Sequence, residues 1–247
     1  MSELRIIARL DIKNSNLIKS INLEGLKIIG DPNEYARKYY NGGADEILFM
    51  DCVATLYGRN NLSEIIKNST KDIFVPIAVG GGLRSLEDVK IMLNSGADKV
   101  AINTAAVDNP DFITKLANSI GSQSIIISIE AKKHAQGWEV YTSNGRDPTG
   151  KDVVDWAKQV EGLGAGEILL TSIDQEGTRR GFDVDLNKAV TSVTSLPVIC
   201  SGGFGNIEHA TKLKNECEIG AIALADALHY NRLTAIEIKK ELGISLD

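Results

Sequence analysis

The chain has 247 residues, of which 43% are hydrophobic and 24% are charged, and its formal net charge is -6 at pH 7. This composition is that of a globular protein, and the negative net charge disfavours binding to nucleic acid or to an anionic membrane. No apolar stretch approaches the roughly 20 residues of a membrane span, and the N-terminal residues lack a signal-peptide layout. The three cysteines have no paired or CxxC spacing, which is typical of reduced thiols. We therefore expect a soluble cytoplasmic protein.

Short apolar runs separated by helical start signals define the organisation of the chain. Continuous apolar runs of this length suit parallel strands that are buried on both faces. Helical starts lie between them, for example at Asp31-Pro32 and at Ser85, where a capping residue precedes a proline or an acid. The eight predicted strands are 5–11, 46–51, 75–79, 99–103, 124–130, 167–172, 196–201 and 219–224. Eightfold alternation of strand and helix predicts an α/β fold, a (βα)8 barrel formed by residues 1–247 as a single domain.

One predicted connection is unusually long. The segment from about Lys13 to Gly30 exceeds the common length of about two to six residues for a βα connection. Long connections at the active face of a barrel often carry function. We predict a mobile active-site loop here.

The sequence also repeats itself at about half its length. Val75–Gly82 recurs as Leu196–Gly203, and Gly43–Leu48 recurs as Gly164–Leu169, both with an offset of 121 residues. The apolar run that ends at Asp11 corresponds to the run that ends at Glu130, with an offset of 119. Two similar half-units predict a barrel with two-fold pseudo-symmetry.

This symmetry places Asp11 and Glu130 at equivalent strand ends. The carboxyl ends of barrel strands line the active face, and Asp51, Asn103 and Thr171 also fall there. A single acid at a strand end can equally cap a helix or form an ion pair. For the pair we favour the functional interpretation, since two carboxyl groups in different environments can divide the roles of acid and base.

Glycine clusters close the third and seventh predicted strands, at Gly80–Gly82 and at Gly202–Gly203. Glycine lets backbone N–H groups approach an anion closely, and a following helix N-terminus adds a favourable dipole. Asn103-Thr104 and Ala225-Asp226 follow the neighbouring strands. A lone glycine cluster is usually a tight turn, but duplication at matching positions favours a substrate with two phosphate groups.

A third group of charged residues lies at the opposite end of the strands, at Arg5, Glu46, Lys99 and Glu167. Physical reasoning alone favours a structural ring of salt bridges at the bottom of the barrel. The three histidines share no metal-ligand spacing, so we predict no metal site.

Several motifs together resemble one family. They are Arg5-Ile6-Ile7-Ala8 with Leu10-Asp11, Val79–Gly82, Gly96–Val100, Asn103–Val107, Gly121-Ser122-Gln123 and Gly164–Ser172. Over essentially its whole length the chain resembles the cyclase subunit of imidazole glycerol phosphate synthase. In that family a (βα)8 barrel receives ammonia from a glutaminase docked at its bottom and uses it on a bis-phosphorylated ribulosyl substrate. The products are imidazole glycerol phosphate and an aminoimidazole carboxamide ribotide, and the resemblance implies no cofactor.

The resemblance also implies roles for individual residues. It implies a catalytic role for Asp11, and it places Glu130 at the second catalytic position. The implied substrate-binding residues are Lys19, Asp51, Gly82, Asn103, Thr104, Thr171, Gly177, Gly202, Gly203, Ala225 and Asp226. The implied ammonia gate and partner interface comprise Arg5, Glu46, Asp98, Lys99 and Glu167, which replaces the purely structural interpretation of the ring.

Five residues depart from the family pattern at or near the active face. They are Arg9, Glu130, Asn144, Glu176 and Asp226. Glu130 is one methylene longer than the usual aspartate, and Arg9 is expected to hold Asp11 ionised while it fills space. Asp226 replaces a serine that helps hold a phosphate, and its charge is expected to repel that phosphate unless a cation such as Arg9 neutralises it. These departures leave an alternative open, in which the chain is a paralogue that conducts ammonia for an amidotransferase in amidino-sugar synthesis.

Overall fold

Eight parallel strands form a closed barrel. The computed structural model describes residues 3–54 and 62–246. The barrel strands are β1 (Arg5–Lys13), β4 (Glu46–Asp51), β5 (Ile77–Gly80), β6 (Lys99–Ile102), β7 (Ile125–His134), β10 (Glu167–Ser172), β11 (Val198–Ser201) and β12 (Ala221–Leu224). Each pairs with the next, β7 pairs with β10, and β12 pairs with β1 to close the circle. The predicted (βα)8 fold class is thus confirmed.

All eight predicted strands are present, with small shifts at their ends. β5 and β11 begin one residue after Pro76 and Pro197, because proline has no N–H group to donate to a ladder. Register links Ile7 to Glu46 and Ala8 to Leu224. Every second residue of a strand points into the barrel, and the register sets how far along the barrel axis its side chain lies relative to those of the neighbouring strands.

Helices connect the strands and cover the outside of the barrel. They are α1 (Pro32–Asn41), α2 (Leu62–Ser69), α3 (Leu86–Asn94), α4 (Thr104–Asp108), α5 (Asp111–Ile120), α6 (Val153–Gly162), α7 (Val184–Thr191), α8 (Ile207–Glu216), α9 (Asp226–His229) and α10 (Ala235–Glu241). The predicted caps at α1 and α3 are confirmed, since Asp31 accepts hydrogen bonds from two backbone N–H groups and Ser85 forms a capping box with Asp88. Within the described residues, no helix is long and apolar enough to cross a membrane.

The long segment after β1, which was predicted to be a mobile active-site loop, has regular structure. It forms a hairpin of β2 (Asn16–Ile21) and β3 (Glu24–Gly30), and β2 pairs with the end of β1. Asn22 and Leu23 both have positive φ at its tip, as a two-residue type I′ turn requires. A similar extension of β8 (Gly137–Thr142) and β9 (Asp147–Asp152) follows β7. Both extensions rise on the side where the barrel strands end.

The apolar core has two parts. The larger part lies between the barrel and the helices. The smaller part fills the barrel interior and consists of Ile7, Leu48, Met50, Ala78, Ala101, Ile126, Leu169, Ile199, Ala221 and Ala223. This interior is apolar, and polar layers lie above and below it.

Candidate active site

Arg9 forms the centre of the upper polar layer. It follows Ile7 by two residues on β1, so its side chain points into the barrel, and it is only 3% exposed. Its Nε donates to Asp11 Oδ1 at 2.9 Å, and its Nη1 donates to Thr171 Oγ1 at 3.0 Å and to Ser201 Oγ at 3.1 Å. The guanidinium therefore extends from β1 to β10 and β11.

Asp11 is held by this arginine. Burial on its own would raise the pKa of Asp11, but the charge of Arg9, followed by that of Lys19, outweighs burial and keeps the pKa below its ordinary value. The cation expected beside Asp11 is thus present, in an ion pair between Arg9 Nε and Asp11 Oδ1. Asp11 Oδ2 is buried without a hydrogen-bond partner among the described residues.

Glu130 lies in a different environment. It is the next-to-last residue of the buried part of β7, and its Oε2 accepts a hydrogen bond from the Gly145 N–H at 2.7 Å. Burial raises the pKa of Glu130 to about 7, although the Gly145 hydrogen bond and the Arg9 charge act in the opposite direction. A carboxyl group with this pKa exchanges a proton readily near neutral pH.

A cavity of about 270 Å3 opens beside Glu130. Its wall contains Asp51 and Gly81-Gly82 on one side and Asn103-Thr104 on the other. Gly81 has φ +99°, and a Cβ there would collide with the Asp51 carbonyl group, so glycine is required where β5 ends. The predicted first phosphate loop thus borders an open cavity.

Asn103 and Thr104 begin the short helix α4. The Asn103 amide donates to the Tyr141 carbonyl at 3.0 Å, and Asn103 Oδ1 is buried without a partner among the described residues. Thr104 Oγ1 accepts from the Ser143 N–H at 3.3 Å. These contacts tie the β8–β9 extension to the cavity wall.

The second predicted phosphate loop lies across the barrel from the first and has much less space. The cavity there measures about 20 Å3 and is lined by Glu176, Gly177, Ser201, Gly202, Gly203, Phe204, Ala225 and Asp226 among others. Gly203 has φ +103°, and a Cβ there would collide with the Gly181 carbonyl oxygen. The loop is therefore close-packed against the segment after β10.

Asp226 is neutralised, but not by the residue proposed from the sequence. Arg179 holds both carboxylate oxygens, at 2.8 Å from Nε and 3.1 Å from Nη2, and Arg232 pairs with Oδ1. Burial would raise the pKa of Asp226, but the two arginines lower it below its ordinary value. The suggested pairing with Arg9 is wrong, because Arg9 points into the barrel while Asp226 lies beyond the end of β12. With two guanidinium groups and one carboxylate, this cluster has a net charge of about +1.

Lys19 connects the β2–β3 hairpin to the opposite side of the barrel mouth. Its Nζ donates to Glu176 Oε1 at 2.5 Å, and both side chains are almost fully buried. The hairpin is also held by Asn22, whose side-chain amide donates to the carbonyl groups of Ile173 and Asp174. Lys19 is therefore buried beneath the hairpin. It lies close enough to Asp11 for its charge to lower the pKa of Asp11.

The lower polar layer is the predicted ring. Arg5 bonds Glu46 and Glu167, each at 2.9 Å, and Lys99 bonds the same two acids at 3.0 and 2.8 Å. Burial raises the pKa of Glu46 even though Lys99 and Arg5 lower it, whereas in Glu167 the hydrogen bond from Arg5 outweighs burial and lowers the pKa. The four side chains alternate in charge around the barrel axis, below the apolar interior.

Asp98 has a structural contact at the same end of the barrel. Its Oδ2 accepts from the Ile77 N–H at 2.8 Å, just as Asp45 Oδ2 accepts from the Ile6 N–H at 2.7 Å. Both acids therefore fix the start of a strand, and Asp98 remains beside the ring of charges.

Comparison with known proteins assigns the fold to a family. Residues 5–234 match the family described as histidine biosynthesis protein. The chain belongs to this family. It is 61% identical, over 209 residues, to imidazole glycerol phosphate synthase subunit HisF of Legionella pneumophila, a match that covers 84% of this chain and 99% of that protein. The comparisons give no support to the alternative of an ammonia conduit in sugar synthesis.

Sequence analysis missed two cations at the active face of this family member. Arg179 and Arg232 hold Asp226, from positions 47 and 6 residues away. A signal for Arg179 was present in the sequence, since it lies two residues after Gly177, which was expected to bind the substrate. No comparable pattern marks Arg232, which lies in the connection after α9.

Proposed function

We propose that the protein is the cyclase subunit of imidazole glycerol phosphate synthase. It uses ammonia to convert a bis-phosphorylated ribulosyl aminoimidazole carboxamide substrate to imidazole glycerol phosphate and an aminoimidazole carboxamide ribotide. The observation that carries this proposal is the 61% identity to a subunit of that enzyme over 99% of its length. The reaction class is that of a lyase.

The two glycine loops support a substrate with a phosphate at each end. We assign one phosphate to Gly82, Asn103 and Thr104, beside the larger cavity. We assign the other to Gly177, Gly202, Gly203 and Ala225, where Arg179 and Arg232 supply positive charge around Asp226. Lys19, Asp51 and Thr171 lie between these ends and are proposed to contact the substrate. The small second cavity has to widen when the ligand binds.

Two carboxyl groups, those of Asp11 and Glu130, are proposed to act on the substrate. Addition of ammonia to a carbonyl carbon, followed by ring closure, requires protons to be taken up and released. Asp11 and Glu130 come from strands that are equivalent in the two half-barrels. Their pKa values are shifted in opposite directions, which is the arrangement expected of groups with different roles.

Ammonia is proposed to enter from the end of the barrel that carries the ring. The apolar interior between the ring and Arg9 suits the passage of a neutral molecule. We propose that a glutaminase docks around Arg5, Glu46, Asp98, Lys99 and Glu167 and delivers ammonia there. The proposed site of action is the cytoplasm.

Turnover with two nitrogen sources tests the proposal. With the bis-phosphorylated substrate and an ammonium salt, the chain alone is expected to form both products. With its glutaminase partner, glutamine should replace the ammonium salt. Glu130→Gln serves as the inactive control, since it keeps the size of the side chain but removes the ionisable group. Tight substrate binding without product under either condition would contradict the cyclase assignment.

A further inference from the structure

Arg9 belongs to a layer of side chains directly above the apolar interior of the barrel. Alternate strands of a (βα)8 barrel contribute the side chains of one layer, and β1, β5, β7 and β11 contribute this one. Its members are Arg9, Gly80, Ser128 and Ser201, each two residues after a residue of the apolar interior. Arg9 is the one large side chain of the four. The guanidinium group therefore largely determines how the interior is closed at this height.

The guanidinium extends toward one side of the barrel. Its Nη1 donates to Thr171 Oγ1 at 3.0 Å and to Ser201 Oγ at 3.1 Å, so it contacts β10 and β11. The three side chains are buried. Burial on its own would lower the pKa of Arg9, but the charge of Asp11 outweighs burial and raises the pKa above its ordinary value. A permanently charged group that bonds two hydroxyl groups thus closes the interior toward these two strands.

The opposite side of the layer, at β5, has no side chain of its own because residue 80 is glycine. Two neighbouring side chains occupy the space, since a Cβ on Gly80 would lie 2.6 Å from Met50 Sδ and 2.9 Å from Ala101 Cβ. Met50 and Ala101 belong to the apolar interior, and both also line the larger cavity of about 270 Å3. The interior therefore borders this cavity at a methyl group and at an unbranched thioether, which adapts its shape readily.

The smaller cavity, of about 20 Å3, borders the interior at a different residue. Ala223 lines it together with Ser201, which accepts the hydrogen bond from Arg9. A molecule that left the interior toward the smaller cavity would have to pass this hydrogen bond. The way to the larger cavity is bordered by the apolar side chains of Met50 and Ala101. The two cavities are therefore not equally accessible from the interior.

We propose that Arg9 directs ammonia to one of the two phosphate cavities. The guanidinium closes the interior toward β10 and β11, and ammonia leaves past Met50 and Ala101 into the larger cavity. This inference rests on the proposed function for the identity of the molecule that passes, and it deepens that function by giving a barrel with two similar halves an exit on one side. Ammonia then reaches the substrate from the side of the phosphate that is assigned to Gly82.

Two matched substitutions, studied in the complex with the glutaminase, test the direction of exit. Ala101 pairs with Gly80, and Ala223 pairs with Ser201 at the corresponding place in the other half. Ala101→Leu narrows the proposed exit, so the ratio of glutamine-dependent to ammonium-dependent turnover should fall by about tenfold, which corresponds to a barrier to passage higher by about 1.4 kcal/mol. Ala223→Leu adds the same volume beside the smaller cavity and should leave this ratio within about twofold of the parent.

The ratio removes effects that are common to both nitrogen sources, such as weaker substrate binding. Equal decreases in the two variants, or a larger decrease in Ala223→Leu, would overturn the proposal. Urea unfolding verifies that each variant is folded. Ala101→Val takes the place of Ala101→Leu if the larger side chain prevents folding, and Ala223→Val is then its control.

Removal of the guanidinium should open a second exit. In an Arg9→Ala background, Ala101→Leu should no longer lower the ratio, because ammonia can also leave toward β10 and β11. Both rates are expected to be lower in this background, since Asp11 loses its partner, but both nitrogen sources are affected alike. A decrease that stayed at about tenfold would show that Arg9 does not close that side.

A measurement without turnover tests the closure itself. The Arg9 Nε–H donates to Asp11 Oδ1 in the buried layer, so it should exchange its proton with solvent at least about 100-fold more slowly than the Nε–H of exposed Arg37. NMR on the full chain with isotope-labelled arginine gives both rates, and the resonance that is lost in Arg9→Ala identifies Arg9. Equal exchange rates would overturn the proposal.

The two measurements separate this inference from the cyclase function. If the Arg9 proton exchanges slowly but neither nitrogen source yields product, the cyclase function fails and the closure by Arg9 stands. If product forms but Ala101→Leu and Ala223→Leu lower the ratio alike, the proposed exit fails and the cyclase function stands.

Discussion

Arg9 and Asp11 form a buried ion pair across two positions of a single strand, with Nε and Oδ1 2.9 Å apart. Both side chains point into the barrel, and both are less than 5% exposed. A buried pair of this kind is strongly coupled, because the loss of either partner leaves an uncompensated charge in a medium of low polarity.

Stability measurements should reveal this coupling. We expect Arg9→Met and Asp11→Asn each to lower the free energy of unfolding by about 3–5 kcal/mol. The double variant should lose less than the sum of the two, since it buries no unpaired charge. Urea unfolding of the four proteins in the cycle provides the measurement. Additive losses would show that the two groups do not depend on each other.

Phosphate binding should depend on the cluster around Asp226. Arg232→Met reduces the net charge of the cluster from about +1 to zero, so we expect binding of the bis-phosphorylated substrate to weaken by about tenfold, or about 1.4 kcal/mol. Asp226→Asn raises the net charge and should strengthen binding at low salt. Calorimetry at two ionic strengths measures both effects.

Arg37→Met is the control for this pair of variants. It removes an arginine that pairs with Asp72 on an exposed surface, away from the cavities. If Asp226→Asn weakens binding as Arg232→Met does, then Asp226 acts by orienting the arginines rather than through its charge.

The ring at the bottom of the barrel should affect glutamine use more than ammonia use. Lys99→Met leaves Glu46 and Glu167 with Arg5 as their shared cation, so the ring loses its alternation of charge. We expect a decrease in glutamine-dependent turnover with the partner, and ammonium-dependent turnover within about twofold of the parent. Lys158→Met, at an exposed pair with Asp155, is the control. An equal decrease with both nitrogen sources would place the effect at the active face instead.

His229 should make the stability of the protein depend on pH below neutrality. It is 3% exposed, its Nδ1 lies 2.5 Å from the Tyr39 hydroxyl, and burial lowers its pKa from 6.5 to about 4. The unfolded chain binds a proton at His229 below pH 6.5, whereas the folded chain does so only below about pH 4. The contribution of neutral His229 to the free energy of unfolding is therefore fully present above pH 6.5. It is lost as the pH falls toward 4, which lowers the free energy of unfolding by up to about 3 kcal/mol.

His229→Gln should remove this part of the pH dependence, and His134→Gln, at an exposed position, should not. Glu130 has the opposite sign in an overlapping range, since its raised pKa favours the folded state as the pH falls from about 7. The difference between His229→Gln and the parent isolates the histidine. Denaturant unfolding at several pH values between 4 and 7 gives this difference, and parallel curves would contradict the prediction.

The sequence predicted the strands and the strand-end acids well, because both follow from local pattern. Apolar runs define buried strands wherever they occur, and the repeat aligns Asp11 with Glu130 without knowledge of any contact. It could not predict the partners of Arg9, since Thr171 and Ser201 are 162 and 192 residues away. The order of the strands could be predicted from the sequence, but the direction in which the Arg9 side chain extends across the barrel could not.

The same limit explains the wrong partner for Asp226. β1 does lie beside β12, as the pairing with Arg9 assumed. However, Asp226 lies beyond Leu224, the last residue of β12 that pairs with β1. At that point the path of the backbone, rather than strand pairing, determines which arginines lie near the carboxylate. The hairpin after β1 was missed for another reason, because its strands lack continuous apolar character and its turn is marked only by Asn22-Leu23.

The Arg9 contacts also affect how the two half-barrels, the repeated halves of the chain, can assemble with each other. By the offsets of the repeat, Ser128 is the counterpart of Arg9, while Met50 and Gly80 are the counterparts of Thr171 and Ser201. Two copies of the first half would therefore bury two guanidinium groups opposite a thioether and a bare glycine, with neither hydroxyl acceptor. The first half needs the second to satisfy its arginine, so assembly from separated halves should select the mixed pair over two identical ones.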